Sequence, residues 1–237
     1  LNSAAWAGAG TFTYGTSTLT FSGSTNHIIH HSSSVATATD AEGQEDFYNL
    51  TIPAGETVAS NSYADYQKIG IVSGGTLTVN GTLSDNAAAF GGVNQNNGVN
   101  MLAGSSLVLG ASSSIGSVGS AFDWYTTNSV PATASGDYFT YLYIRAATSL
   151  AGNVTARSGC SIRDGSLTTA GYTLSCTLLE VRANKTLNAS NSTINFDAAS
   201  WGTSEWDQEE GSILITGNSA FNGDEGNGVK ATLTNFA

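Results

Sequence analysis

The chain has 237 residues, of which seven are basic and eighteen acidic, a formal net charge of −11. That charge opposes a phosphate backbone or an anionic membrane surface, so neither nucleic acid nor membrane is an expected partner, and no apolar run approaches the roughly 20 residues a membrane-spanning helix needs. Only 11% of residues are charged while 40% are hydrophobic, the latter set in short regular runs. This combination argues against disorder and for an all-β chain with small apolar side chains inside and hydroxyls and amides in rows outside.

At the N-terminus, Gly10-Thr-Phe-Thr-Tyr14 and Thr18-Leu-Thr-Phe-Ser-Gly23 alternate apolar and polar residues around Gly15. Period-2 alternation closed by glycine predicts two strands. The chain starts at Leu1, as expected of a processed product or a fragment. His27-Ile-Ile-His30-His31 is the sole histidine cluster. On a strand His27 and His31 share a face and His30 does not, so a metal there would need a ligand from elsewhere, and a solvated strand edge is the default.

An internal echo follows. Phe47-Tyr-Asn-Leu-Thr-Ile-Pro-Ala-Gly-Glu-Thr-Val-Ala-Ser60 aligns without a gap on Phe139-Thr-Tyr-Leu-Tyr-Ile-Arg-Ala-Ala-Thr-Ser-Leu-Ala-Gly152. Both copies lead to Ser-Gly (Ser73-Gly74, Ser158-Gly159) and then to Asn80-Gly81 or Asp164-Gly165, pairs that tolerate positive φ and predict tight turns. Ala103-Gly-Ser-Ser-Leu-Val-Leu-Gly110 is a looser third copy. Short strands, tight turns and repetition, with no helix-length apolar period, predict a parallel β-solenoid whose turns each cover the last. An antiparallel β-sandwich is the alternative.

Residues 85–100 and 117–138 break the rhythm and are expected to be irregular loops on one flank, where function usually sits. The second carries Phe122-Asp-Trp-Tyr125. Exposed Trp124 and Tyr125, with Trp201 and Trp206 among carboxylates, are the candidate ligand-binding residues, because aromatic faces stack on sugar rings. End caps or a subunit contact are the plainer reading of the same side chains.

Cys160 and Cys176 are the two cysteines. A disulfide between successive turns and a pair of buried reduced thiols are both open. Ala198-Ala199-Ser200-Trp201 returns to the pattern of Ala4-Ala5-Trp6, and Gly211-Ser-Ile-Leu-Ile-Thr-Gly217 supplies the apolar strand. The chain is therefore expected to be one elongated unit over 1–237, with 198–237 the start of a further repeat and a partner, either more chain or another subunit, covering its last turn.

Acidic clusters at Asp40, Glu42, Glu45 and Asp46 and at Glu205, Asp207, Glu209 and Glu210 suggest paired carboxylates for glycosidic cleavage, but their polar, glycine-rich settings lack the burial that raises a general acid's pKa. No catalytic residue is assigned. Asn222-Gly-Asp-Glu-Gly-Asn-Gly228 is an oxygen-rich loop in which Asp224 and Glu225 are the candidate calcium ligands, without the spacing of an EF-hand. No other cofactor is expected.

Trp6, Gly10 to Gly23, Phe47 to Ile52 and Gly75 to Leu83, with the weaker copy from Trp201, resemble the repeats of surface proteins of bacteria and their phages. The resemblance implies a right-handed parallel β-helix and an extracellular role as adhesin, fibre shaft or exterior virion component. It carries no catalytic residues. Together these readings predict a non-catalytic structural or attachment module, forming homo-oligomers or joining neighbouring subunits and meeting surface glycans. A carbohydrate-binding or carbohydrate-degrading spike is the alternative.

Overall fold

A computed structural model of the chain describes residues 4–7, 15–22, 26–31, 45–62, 69–84, 98–115, 121–182, 184–196 and 212–223. Their regular structure is entirely β, with no helix among the described residues. The chain divides into two compact units, Leu1–Asp123 with Ala134–Thr140, and Trp124–Thr133 with Tyr141–Ala237.

In the first unit, β1 (Ala4–Ala7), β3 (Asn26–His31), β5 (Thr57–Ser62) and β7 (Thr82–Ser84) pair in that order. A second run is β2 (Thr18–Thr20), β4 (Glu45–Ile52), β6 (Ile69–Val79) and β8 (Gly98–Met101), with β9 (Ser106–Leu109) also on β6. The pairs are parallel, and they keep like residues in line: Leu19, Leu50, Leu77 and Leu107 occupy one column. Side chains beside that column repeat the same return, Asn49 Nδ2 donating to Thr18 Oγ1 from 31 residues further along the chain. Leu50 and Leu77 are fully buried, whereas Thr51 and Thr78 beside them are half-buried. Period-2 alternation thus becomes an apolar column inside and a hydroxyl column outside, each buried leucine contributing about 1.5–3 kcal/mol.

β6 shows what Ser73-Gly74 does. Residues 69–71 pair with β8 and residues 76–79 with β9, so one strand serves two neighbours and bends between them. Ser73 and Gly74 are the exposed residues at that bend, and Gly74 has φ +76°.

The second unit repeats the scheme. β11 (Phe139–Ile144), which belongs to this unit from Tyr141 on, β13 (Val154–Ile162), β15 (Thr173–Cys176), β18 (Thr193–Phe196) and β20 (Ala220–Gly223) follow one another, with β16 (Leu179–Val181) on the far half of β13. β12 (Thr148–Ser149), β14 (Ser166–Thr168), β17 (Thr186–Ser190) and β19 (Ser212–Thr216) form the other run. Val154, Leu174, Ile194 and Phe221 share one column, and Leu167, Leu187 and Ile213 share another. Throughout the described pairings the strands run parallel, which sets aside the antiparallel sandwich.

Two expectations are corrected. Asn80-Gly81 and Asp164-Gly165 do join β6 to β7 and β13 to β14, but neither glycine has positive φ. A Cβ on Gly81 would sit 2.2 Å from the Pro53 carbonyl oxygen, and one on Gly165 would sit 2.1 Å from the Ala146 carbonyl carbon. Glycine is required because the backbone of the preceding turn fills the space. The stretch 117–138 is also not irregular throughout: β10 (Ala121–Trp124) is a fully buried strand. Residues 85–97 and 116–120 lie outside the described set.

Candidate functional site

Four strands of similar design end at the same point in successive rows. The residues that follow β10, β11, β13 and β16 are Tyr125, Arg145, Arg163 and Arg182. Backbone pairing stacks them: the Arg145 amide donates to Trp124 O (3.0 Å), that of Arg163 to Ile144 O (2.9 Å) and that of Arg182 to Ile162 O (3.0 Å). Parallel neighbours lie about 4.8 Å apart, so the fold builds a column of three arginines above a tyrosine.

Side chains on the adjoining outward positions brace that column. Arg145 lies over the Tyr125 ring at 5.7 Å and Arg163 over the Tyr143 ring at 3.7 Å from the centroid. Tyr143 in turn stacks beside Tyr141, with 5.9 Å between centroids and 21° between planes. Arg145 Nη1 pairs with Asp164 Oδ2 at 2.9 Å, and Arg182 Nε with Glu180 Oε1 at 3.1 Å. Arg163 Nε donates to Ser161 Oγ at 3.1 Å, while Ser161 donates its own proton to Glu180, its partner in register.

The electrostatics follow from the count. Arg145, Arg163 and Arg182 against Asp164 and Glu180 leave one net positive charge on a chain of net charge −11. Burial lowers the Arg163 pKa first; the neighbouring Arg182 and Arg145 lower it further, while Tyr143 and Glu180 oppose the shift. The guanidinium nonetheless stays charged at any ordinary pH.

A groove of about 330 Å³ lies elsewhere in the same unit. Its floor follows two columns, Thr155, Ser175 and Asn195 in one, Cys176 and Phe196 in the next, with Arg157 and Thr177 at the side. Asn195 Nδ2 donates to Ser175 Oγ (3.1 Å), and Asn222 Nδ2 to Asn195 Oδ1 (3.0 Å), so the amides form a ladder along the stacking direction. The lining offers hydrogen-bonding groups and one cation, Arg157. Cys160 and Cys176 are free and buried, their thiols held protonated: burial drives both up, that of Cys176 to about 12.

The chain matches no protein-family model, and comparison with curated proteins and with solved structures finds none similar to it.

The expected site residues fare differently. Trp124 is not exposed: it is 0% accessible in a strand, with its indole N–H donated to Asn128 O at 2.8 Å, so no ring face is left for a sugar. Tyr125 is half-buried beneath Arg145. Trp201, Trp206 and the calcium candidates Asp224 and Glu225 lie outside the described residues, as do Glu205, Asp207, Glu209 and Glu210. His27 to His31 form most of β3, His27 standing in register with Ala4 and Val58. Among the described residues no three His, Cys, Asp or Glu side chains converge as a metal site. Sequence reasoning missed the arginine column, although Arg145, Arg163 and Arg182 recur at almost the interval that separates partners in neighbouring rows, 20 residues from Ser175 to Asn195.

Proposed function

We propose that the chain is a right-handed parallel β-solenoid that serves as a non-catalytic structural or attachment module on the exterior of a virion or bacterial cell, assembling with further copies or further chain. The carrying observation is the shared register of like residues, Leu19-Leu50-Leu77-Leu107 in the first unit and Val154-Leu174-Ile194-Phe221 in the second. A chain that returns again and again to the same column covers each row with the next, as repeat architectures do. The exterior location is drawn from the likeness of its Gly-Thr-Leu-Thr-rich motifs to bacterial and phage surface repeats. Asp164 and Glu180, two carboxylates at the arginine column, are paired with arginines, which supports a role without acid–base chemistry for them.

A polysaccharide degradation screen tests this reading, run on the parent chain and on Glu205→Ala, Asp207→Ala and Glu209→Ala. The expected result is no reducing ends above background from any of them, with self-association in sedimentation as concentration rises. Turnover by the parent that one of these changes abolishes would defeat it.

A further inference from the structure

We propose that the face carrying Tyr141, Tyr143, Arg163 and Arg182 binds a linear polysaccharide bearing carboxylate groups. The inference rests on the reading of the chain as an attachment module and names the chemistry of what it attaches to.

Cations are concentrated in the part of the sequence that builds this face. Five of the seven lysines and arginines, Arg145, Arg157, Arg163, Arg182 and Lys185, fall in one stretch of a chain with net charge −11. Three of them are stacked in consecutive rows, where like charges repel unless anions stand between them. The protein supplies two such anions and leaves one charge over.

The geometry says where an anion would go. Arg163 directs its Nε to Ser161 and lies over the Tyr143 ring, and Arg182 directs its Nε to Glu180. Among the described residues, the Nη groups of these two arginines have no hydrogen-bond acceptor. Paired Nη N–H groups are the fork that a carboxylate takes in two parallel hydrogen bonds. Arg163 is fixed on an aromatic ring and Arg182 is held by Glu180, so little side-chain freedom is lost on binding.

The rest of the face favours a sugar chain over other polyanions. The stacked tyrosines are half-buried and set aromatic surface beside the fork. A nucleic acid, with its dense phosphate charge, meets a strongly acidic protein with a single surplus cation here. A polysaccharide with one carboxylate every sugar or two presents spaced charges and apolar ring faces, and a chain running along the stacking direction meets an arginine fork at two successive rows, Arg163 and Arg182.

Calorimetry on the full chain with oligomers of galacturonate, mannuronate and a hyaluronan-type copolymer tests the proposal, with the methyl ester of each and with polyglutamate as comparators. At least one carboxylated oligomer is expected to bind, and its neutral ester about tenfold more weakly or worse, since hydrogen bonds to a charged group are lost. Arg182→Gln should weaken binding by about tenfold and Arg182→Lys by less, because lysine keeps the charge without the fork. Arg182 is nearly half exposed, so these variants should melt with the parent, and they carry the test if Arg163→Gln fails to fold. The proposal is overturned if no oligomer binds, if esters bind equally, if Arg182→Gln changes nothing, or if polyglutamate binds as tightly as the sugars. Reducing ends released during binding would refute the non-catalytic reading and leave the site standing; absence of binding would remove the site and leave the structural reading intact.

Discussion

The guanidinium carbon of Arg163 lies 3.7 Å from the centroid of the Tyr143 ring, one row above it in the second unit. The contact compensates a half-buried cation whose neighbours Arg145 and Arg182 are also positive. A cation over a ring face at this distance contributes about 0.5–2 kcal/mol. Tyr143→Leu keeps apolar volume and removes the ring, and should therefore destabilise by about 1 kcal/mol. In a double-mutant cycle with Arg163→Gln, the coupling read from urea midpoints is expected to be similar in size and to vanish if the pair is incidental.

The apolar columns predict a contrast between neighbours. Leu77 is fully buried between Leu50 and Leu107, while Val108, one residue beyond Leu107, is 48% exposed. Leu77→Ala should cost about 2–5 kcal/mol through lost burial and the cavity left behind, and Val108→Ala should stay within about 0.5 kcal/mol. Equal effects in equilibrium unfolding would mean that the column is not a core.

Glycines at close approach should behave differently from glycines at turns. Gly165→Ala drives a methyl into the backbone of Ala146 and should cost about 3 kcal/mol, whereas Gly136, at φ +82° with nothing within 4 Å, faces only left-handed strain of about 1–2 kcal/mol. Urea midpoints of the two alanine variants give the order directly. The reverse order would mean that conformation, not contact, selects glycine at Gly165.

The thiols carry a pH prediction. Burial keeps Cys176 protonated up to about 12, against an ordinary value of 9.0, and also raises Cys160. Above pH 9 the unfolded chain releases thiol protons that the folded chain retains, so stability should be complete below pH 9 and fall as pH rises toward 12. Neither thiol should react with an aromatic disulfide reagent at pH 8 until urea is added. Stoichiometric labelling of the folded chain would contradict the burial of both.

How much of the fold is legible in the sequence depends on which signals are local. The echo between Phe47–Ser60 and Phe139–Gly152 falls on matching elements, since Ile52 ends β4 and Ile144 ends β11. Alternation such as Thr76-Leu-Thr78 becomes a buried leucine between half-buried threonines, because period 2 is a property of a single strand. Trp124 reads as exposed because Phe122-Asp-Trp mixes a charged residue into an apolar run; Asp123 is itself buried in β10, and nothing local announces that. The arginine column is invisible for a related reason. Each member follows the Ile or Val that ends a strand, Ile144, Ile162 or Val181, but so short a pattern does not announce a column, and the arginines meet only through the row interval, which is set by turn lengths.

Nitroxide labels at Thr51→Cys and Thr78→Cys test the stacking of rows most directly, since these positions are partners in register although they belong to different strands, and the buried native thiols stay unlabelled. Rows one strand spacing apart, about 4.8 Å, predict strong dipolar broadening of the doubly labelled spectrum, lost on unfolding in urea. A spectrum equal to the sum of the two single labels would contradict the account.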